Sequence, residues 1–537
     1  MMKNYKPSFH LLLFLLLTSV LFLASCKNNS EENSEEKETG KMEYPAEWMY
    51  NQRAYPNNYI NKEAYKEAVQ QSRQILASRS PEQAGEWTFV GPLNTGGRVT
   101  DVAISPINDA HLYVATATGG IFRSYDGGAN WTPIFDEVTK PSIGDIAIAQ
   151  SNPQIIYAGT GEANGSATDG AYFGDGIYRS NNAGDTWTNV GLPESNHIGR
   201  IVVDPTNPDR VFAAATGELY GKNNERGIYR TTNGGTNWEQ VLFVTDSTSA
   251  IDVAMNVANT NIIYAAMWER TRKPWERDYG GVTSAIHRST DGGTTWNQLG
   301  VANGLPAPNA QTGRIGIAVS ESDPSTVYAR FTTNEITNEF DGLYKSTDNG
   351  NNWTLVTPAA ALSGIDANFG WYFGNLRVNP TNSSEVYVIG FDIAKSTNSG
   401  ASWQTLPGMH VDHHALDFSR NNSNFMLAGN DGGAYISNNG GSSWTHFENL
   451  PITQFYNIEV DYQNPERRYG GTQDNNTIRT MTGGLSDWNP IIGGDGFHVN
   501  VDPVDNSFVY AESQYGNLRR STNGGSSFQN GTNGISG

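Results

Sequence analysis

A turn phrase that recurs along the chain constrains its fold more than any other feature. Full copies run from Ser124 to Trp131, from Ser289 to Trp296 and from Ser346 to Trp353, each with Asp two residues after the Ser. Aromatic residues end the full, looser and degenerate copies at intervals of 40 to 58 residues: Trp131, Trp187, Trp238, Trp296, Trp353, Trp403, Trp444, Trp488 and Phe528. A fixed period of that size is typical of stacked supersecondary units rather than one irregular globule.

Each repeat contains four short apolar or alternating runs separated by Gly, Asn and Asp. In the first repeat these runs are 99–106, 112–116, 120–124 and 131–135. Four short strands with tight turns at this period predict one blade of a β-propeller. Helical periodicity is absent from residue 87 onward, so the chain is expected to be all-β there.

The repeated turn has a structural explanation. Its Asp or Asn accepts hydrogen bonds from backbone N–H groups further along the turn, and its Gly supplies the positive φ that closes a hairpin. We therefore expect these Asp residues to stabilise turns rather than to catalyse. The turn resembles the Asp-box, or BNR repeat, of sialidases, sortilin-type receptors and tandem-propeller xyloglucanases. The resemblance covers nearly everything from Trp87 onward and implies a β-propeller, but it does not select a chemistry.

Nine repeats exceed the four to eight blades of an ordinary propeller. Two arrangements follow: a seven-bladed ring with part of a second ring and a boundary near residue 450, or one large sortilin-like ring. The segment 87–90 is a candidate closing strand. An open ring would leave strand edges unpaired, so we expect the natural protein to be longer than this chain.

The N-terminus predicts export and lipid anchoring. Residues 1–25 form a signal segment with an apolar run from Leu11 to Leu23, and the sequence up to Cys26 resembles a bacterial lipobox. That resemblance implies lipidation of Cys26, the single cysteine, and an outer-membrane lipoprotein that is surface-exposed or faces the periplasm. The alternative is an ordinary secretory signal with an incidental cysteine. We expect 26–60 to be a disordered acidic tether and 61–86 to hold a short helix and a lead-in to the repeats at 87–537.

The formal net charge of −20 argues against a nucleic-acid partner, which requires a basic surface. An extracellular glycan, peptide or protein is the expected partner.

Positions before the first strand of a blade, and connections between second and third strands, face the mouth of a propeller's channel. Arg98, Arg200 and Arg314 occupy the first kind of position, where they are candidates to bind an anionic group or, alternatively, to pair with carboxylates of neighbouring blades. Glu162 and Glu218 lie in long connections of the second kind. Trp371 is a candidate platform for a sugar ring or a peptide aromatic, or an edge-packing residue.

A His-rich cluster marks the seventh repeat. His410, Asp412 and His414 would share one face of an extended strand and are candidate ligands of a divalent metal ion. Their spacing matches no standard zinc signature, so the sequence predicts no cofactor, with a metal ion as the alternative. Further polar residues at mouth positions of the repeat are Asp431, Gln473, Asp474 and Asp495. A hydrogen-bonded structural network is the alternative interpretation of this cluster.

Three functions remain open: a binding module for a glycan, peptide or protein, a glycoside hydrolase, and a structural envelope component. Hydrolysis needs two carboxyl groups, for which Glu218, Asp431 and Asp474 are the candidates. The resemblance to xyloglucanases implies a catalytic Asp in a Thr-Asp-Ile-Gly-Gly motif of the first blade, but the matching position here is Ala117. Ligand binding is therefore the preferred hypothesis and hydrolysis the alternative.

Overall fold

The computed structural model describes residues 54–56, 61–78, 88–164, 172–219, 221–273, 276–334 and 339–534. The predicted signal segment, the lipidation site at Cys26 and nearly all of the predicted tether lie outside these residues. Two compact units are distinguished, residues 1–65 with 272–277 and residues 66–271 with 278–537. Among the described residues, no helix is long and apolar enough to cross a membrane.

In the described part of the chain, the α-helix α1 (Lys62–Ser78) lies within the stretch whose apolar spacing predicts it. The Asn61 side chain accepts a hydrogen bond from the Ala64 backbone N–H at 3.1 Å, which satisfies one of the free donors at the start of the helix. Short 3₁₀ turns occupy Pro193–Ser195, Val301–Asn303, Ala359–Leu362 and Gln514–Gly516.

Within the residues that the structure describes, the repeats form nine four-stranded antiparallel sheets. Sheet 1 contains β1 (Val99–Ile104), β2 (Leu112–Thr116), β3 (Ile121–Ser124) and β4 (Thr132–Pro133); sheet 2 contains β5 (Ile143–Ile148), β6 (Ile156–Thr160), β7 (Ile177–Ser180) and β8 (Thr188–Gly191); sheet 3 contains β9 (Ile198–Asp204), β10 (Asn207–Ala215), β11 (Gly227–Thr231) and β12 (Glu239–Leu242). Sheet 4 contains β13 (Thr248–Met255), β14 (Ile263–Glu269), β17 (Ala285–Ser289) and β18 (Asn297–Gln298), while β15 (Thr271–Lys273) and β16 (Glu276–Asp278) form a separate two-stranded sheet.

The remaining five sheets follow the same order. Sheet 5 contains β19 (Thr312–Val319), β20 (Val327–Thr333), β21 (Phe340–Ser346) and β22 (Thr354–Pro358); sheet 6 contains β23 (Asn375–Asn379), β24 (Asn382–Ile389), β25 (Ile393–Ser396) and β26 (Gln404–Thr405); sheet 7 contains β27 (His413–Phe418), β28 (Met426–Asn430), β29 (Gly433–Ser437) and β30 (Thr445–His446). Sheet 8 contains β31 (Phe455–Val460), β32 (Arg468–Thr472), β33 (Thr477–Thr480) and β34 (Asn489–Ile492), and sheet 9 contains β35 (Val499–Val501), β36 (Val509–Ser513), β37 (Asn517–Ser521) and β38 (Gln529–Asn530).

The first seven sheets close into a ring. Their first strands contact one another in order, and β27 of the seventh sheet contacts β1 of the first. Asp417 of β27 accepts a hydrogen bond from the Ile104 backbone N–H at 2.8 Å, so a specific bond joins the two ends. Sheets 8 and 9 pack against each other through β31 and β35. The fold is therefore a seven-bladed β-propeller followed by two further blades, and the expectation of one large ring is wrong.

Buried aspartates join neighbouring blades at other points of the ring. Asp101 accepts a hydrogen bond from the Ile146 N–H at 3.0 Å, and Asp145 accepts one from the Ile201 N–H at 2.7 Å. Each bond runs from the first strand of one sheet to the first strand of the next. The apolar core is correspondingly divided into clusters that each fill the space between two adjacent sheets.

The repeated turn has the predicted structure. In the first copy, Ser124 Oγ and Asp126 Oδ1 are 2.8 Å apart, and Asp126 Oδ1 accepts the Asn130 N–H at 2.9 Å. The Gly128 N–H donates to Ser124 Oγ at 2.8 Å, with φ of +92° at Gly128. Hydrogen bonds from the side chain of Asn130, from its backbone N–H and from Ser124, in that order of importance, lower the pKa of Asp126 to about 2.

The segment before the ring does not pair as a closing strand. Residues 88–90 have no strand conformation. Beyond them, the Leu93 N–H donates to the Leu485 carbonyl at 2.7 Å and the Asn94 side chain donates to the Trp488 carbonyl at 2.8 Å. This segment therefore packs on sheet 8, because the ring is already closed by sheets 7 and 1.

Candidate functional site

A recurring β-bulge positions side chains at the mouth of the ring. In β27, His413 pairs with Asn430 but Ala415 pairs with Gly429, so His414 is an extra residue between two register positions. A bulge re-aims the side chain that it carries. Here it directs His414 toward Asp431, with 2.7 Å between His414 Nε2 and Asp431 Oδ1.

Arg98 lies at the centre of this mouth. Its guanidinium is buried, donates to the Tyr372 hydroxyl at 2.5 Å and reaches Gln473 Oε1 at 3.4 Å. Its Nε lies 3.4 Å from Glu162 Oε1, and its Nη1 lies 3.9 Å from Asp431 Oδ2. Arg98 thus connects residues from four parts of the chain and is enclosed by them.

Glu162 is buried beside Arg98 without conventional hydrogen bonds. Within the described part of the chain, neither of its carboxylate oxygens accepts one. Burial raises the pKa of Glu162, although the nearby charges of Arg98 and His414 oppose that shift. Its ion pair with Arg98 is therefore its main compensation for the loss of water.

Asp431 and Asp474 differ in protonation: Asp431 is ionised at neutral pH and Asp474 is protonated. Burial alone would raise the pKa of Asp431, but His414 and Arg98 outweigh it and hold that pKa at about 2. Burial raises the pKa of Asp474 to about 9, and the neighbouring carboxylates of Asp431 and Asp495 add to the increase. At neutral pH the pair therefore holds one proton, on Asp474.

Sheet 8 and the residues after it hold Asp474 in place. Asp474 has φ of +59°, and its backbone N–H donates to Asp495 Oδ1 at 2.6 Å. The Asn475 side chain donates to the Asp431 carbonyl at 2.8 Å, which joins sheet 8 to sheet 7 at this point. Asp474 is only partly buried and is therefore the member of the pair that a ligand can reach.

The predicted metal site differs from the observed arrangement. The strand begins only at His413, and Asp412 has φ of +65°, so His410, Asp412 and His414 do not share one face of a strand. His410 Nδ1 contacts its neighbour's carbonyl, at Val411, at 2.9 Å. One carboxylate oxygen each from Asp412, Asp431 and Asp474 instead lie within 4.8 Å of one another.

Arg200 is partly buried and Arg314 is buried, and both make internal contacts. Arg200 bridges Asp145 at 2.9 Å and Asp252 at 3.2 Å, in a channel cavity of about 290 Å³ lined by the first strands. Arg314 donates to the Asn164 side chain at 2.7 Å and to the Tyr372 carbonyl at 2.8 Å. Arg98 and Arg200 thus pair with carboxylates of neighbouring blades, as the alternative interpretation predicts, whereas Arg314 donates to an amide oxygen and a backbone carbonyl.

Two other predicted residues, Trp371 and Glu218, contact protein groups other than the Asp431–Asp474 pair. Trp371 is 4% exposed, and its ring stacks on Tyr279 with centroids 4.9 Å apart, so it packs within the protein rather than presenting an open face. Glu218 lies in the β10–β11 connection, where its carbonyl accepts a hydrogen bond from Arg226. Ala117, at the position of the xyloglucanase acid, donates its N–H to the Arg98 carbonyl at 3.2 Å.

The structure thus brings together Arg98, Glu162, Asp412, His414, Asp431, Gln473, Asp474 and Asp495, which we call the mouth cluster. Sequence reasoning missed the contact of Tyr372 with Arg98. It also missed that Tyr456 occupies the bulge position of β31 that corresponds to His414 in β27. Alignment of the first strands on their bulges would have indicated Tyr456, since Phe455 and Asn457 pair with Thr472 and Gly471.

The sequence is similar to the sortilin family over part of its length and to xyloglucanases over a larger part. The model of the sortilin family ("Sortilin, neurotensin receptor 3") matches residues 175–303. A xyloglucanase from Paenibacillus sp is 24% identical over 365 residues, which cover 61% of this chain and 33% of the relative. A xyloglucanase from Hypocrea jecorina is 23% identical over 372 residues, covering 62% and 41%. This chain therefore spans about a third to two fifths of the length of the curated relatives it matches.

Solved structures agree on the fold. The GH74 enzyme of Niastella koreensis superposes with a TM-score of 0.59 at 18% identity, covering 83% of this chain and 68% of that one. An ancestral GH74 enzyme gives the same TM-score at 17% identity, covering 83% and 63%. The protein is an Asp-box β-propeller that resembles sortilin-type and xyloglucanase-like proteins.

Proposed function

We propose that the mouth cluster binds a neutral glycan. The charge of the cluster carries this proposal: five carboxyl groups converge there with one arginine and one histidine, namely Glu162, Asp412, Asp431, Asp474 and Asp495 with Arg98 and His414. Because Arg98 already contacts protein carboxylates, little positive charge remains for an anionic ligand. The ionised carboxylates are strong acceptors for the hydroxyl groups of a sugar, and the protonated carboxyl group of Asp474 can both donate to them and accept from them.

The relatives support a glycan as the ligand class. The matched curated proteins are xyloglucanases, and xyloglucan is a neutral, hydroxyl-rich polymer. An acidic mouth repels glycans that carry carboxylates or sulfates, so the charge of the cluster and the names of the relatives favour the same class.

Calorimetric titration of the purified protein with neutral xyloglucan oligosaccharides and with anionic oligogalacturonides tests this proposal. We expect binding of the neutral series only, and weaker binding by the Asp474→Asn variant. Asp505→Asn is the matched control, because Asp505 is exposed in the β35–β36 hairpin of sheet 9. Tighter binding of the anionic series, or an equal effect of the two substitutions, would contradict the proposal.

Glycoside hydrolysis is the second candidate, favoured by the protonation of Asp474. A glycosidase needs a carboxylic acid that stays protonated near neutral pH to donate a proton to the leaving oxygen. Burial and the neighbouring carboxylates raise the pKa of Asp474 to about 9, which meets this requirement. In this candidate mechanism Asp474, kept protonated by the neighbouring Asp431 carboxylate, donates its proton to the leaving oxygen as the glycosidic C–O bond breaks. Asp495, which lies beside Asp474, would accept the proton of the water that attacks the anomeric carbon. Release of reducing ends from xyloglucan, abolished in Asp474→Asn, would support it.

Hydroxyl binding by carboxylates requires no cofactor. Elemental analysis of the purified protein, expected to find no stoichiometric divalent metal, tests the alternative of a metal ion at the mouth cluster.

The lipobox-like sequence supports anchoring through Cys26 at the outer membrane. Metabolic labelling with an alkyne fatty acid should mark the wild-type protein and leave Cys26→Ser unlabelled.

A further inference from the structure

Two aromatic side chains form a stacked pair: Tyr456 in the first strand of sheet 8 and Phe497 two residues before the first strand of sheet 9. The rings of Tyr456 and Phe497 are 4.8 Å apart between centroids, with 15° between their planes. Tyr456 is 40% exposed, and Phe497 is partly buried. Phe497 therefore fixes the orientation of the Tyr456 ring, and the exposed surface of the pair belongs mainly to Tyr456.

The pair lies beside the mouth cluster. Phe497 follows Asp495 by two residues, and Asp495 accepts the Asp474 N–H at 2.6 Å. Tyr456 follows Gln454 by two residues, and the Gln454 carbonyl accepts the N–H of Gln473 at 3.0 Å. Two residues of extended chain span about 7 Å. The backbone of each aromatic residue therefore lies within about the length of one or two sugar units from Asp474.

The backbone directs Tyr456 in the same way as it directs His414. Phe455 pairs with Thr472 and Asn457 pairs with Gly471, which leaves Tyr456 as the extra residue of a bulge. The equivalent bulge of β27 carries His414, which contacts Asp431. One backbone irregularity, repeated in adjacent sheets, therefore places both side chains at the same end of their sheets.

We propose that Tyr456, held in place by its stack on Phe497, forms a platform on which a sugar ring of the bound glycan stacks, next to the carboxyl groups of Asp474 and Asp495. The inference rests on the proposed glycan-binding function and names an additional contact for it. An aromatic face packs against the C–H bonds of a pyranose while its hydroxyl groups stay free to reach the carboxylates. The ligand is thus a glycan of several sugar units. The platform contacts one unit, and the carboxyl groups contact another.

Ile458, an exposed aliphatic residue of β31, allows a comparison with the aromatic Tyr456 on the same strand. Ile458 is 66% exposed and follows Tyr456 by two residues on the same face of the strand. It has no flat ring and lies further from the bulge. If the exposed face of β31 were simply an uncovered apolar surface, substitution of Ile458 would have the same effect as substitution of Tyr456.

Calorimetric titration of the full-length protein with cellotetraose and with cellobiose tests the platform. We expect Tyr456→Ala to weaken cellotetraose binding roughly 3- to 10-fold and to change cellobiose binding much less, because the shorter sugar cannot reach both the platform and the carboxyl groups. Tyr456→Phe, which keeps the ring, should bind as the wild type does. Ile458→Ala is the control and should also bind as the wild type does.

Two results would overturn the platform alone: cellotetraose binding lost in Asp474→Asn but kept in Tyr456→Ala, or equal losses in Ile458→Ala and Tyr456→Ala. A wild-type protein that binds neither sugar nor any xyloglucan oligosaccharide would overturn the proposed function and the platform together. Unfolding curves of each variant show whether a loss of binding reflects a loss of structure, and Tyr456→Phe keeps the test decisive if Tyr456→Ala does not fold.

Discussion

Replacement of Asp474 by asparagine should stabilise the protein at neutral pH. In the folded protein burial and two neighbouring carboxylates raise the pKa of Asp474 to about 9, whereas an aspartate in the unfolded chain has an ordinary pKa of 3.8. Between these values the folded state binds one proton more than the unfolded state, so this group lowers stability as pH rises. About three pH units separate 3.8 from pH 7, and at about 1.4 kcal/mol per unit the ceiling of this cost is about 4 kcal/mol.

The asparagine of this variant would retain the shape of the side chain, accept the positive φ of this position and donate a hydrogen bond to Asp431. We therefore expect Asp474→Asn to have a higher free energy of unfolding at pH 7, a larger advantage at pH 8.5 and almost none at pH 4. Urea unfolding at the three pH values, with Asp505→Asn as the control, measures this. A difference that does not depend on pH, or a less stable variant at pH 8.5, would refute the assigned protonation.

Two further predictions concern the ring and its mouth. Asp417→Ala should lower the free energy of unfolding by about 1–3 kcal/mol, because it leaves the Ile104 N–H unpaired at the closure between sheets 7 and 1. Asp101→Ala removes the equivalent bond between sheets 1 and 2 and should cost a similar amount; an effect of Asp101→Ala alone would contradict closure at seven blades. Arg98→Met should cost about 3–5 kcal/mol in urea unfolding, because Glu162 loses its buried partner, and a neutral effect would contradict this pairing.

The repeat predicts most of the fold because its turn chemistry is local. Ser124 and Asp126 determine their turn through contacts within a few residues, so the sequence alone indicates the blades and their order. The number of blades in the ring is not local. It depends on bonds such as that of Asp417 to Ile104, which joins residues more than three hundred positions apart.

The mouth cluster is predicted in part for the same reason. The positions of Asp431, Asp474 and Asp495 within the repeat indicate that they face the channel mouth, and the structure places them together. The interpretation of His410 and Asp412 assumed an extended strand, but the positive φ of Asp412 turns the chain before β27 begins. A left-handed residue that is not glycine leaves no clear signal in a single sequence.

A crystal structure of the protein with a neutral xyloglucan oligosaccharide tests the central claim most directly. The proposed function predicts sugar hydroxyl groups within hydrogen-bond distance of the Asp474 and Asp495 carboxyl groups, at the mouth formed by sheets 7 and 8. An oligosaccharide bound instead at the repeated turns around Asp126, or in the channel cavity beside Arg200, would contradict the assignment of the mouth cluster as the binding site.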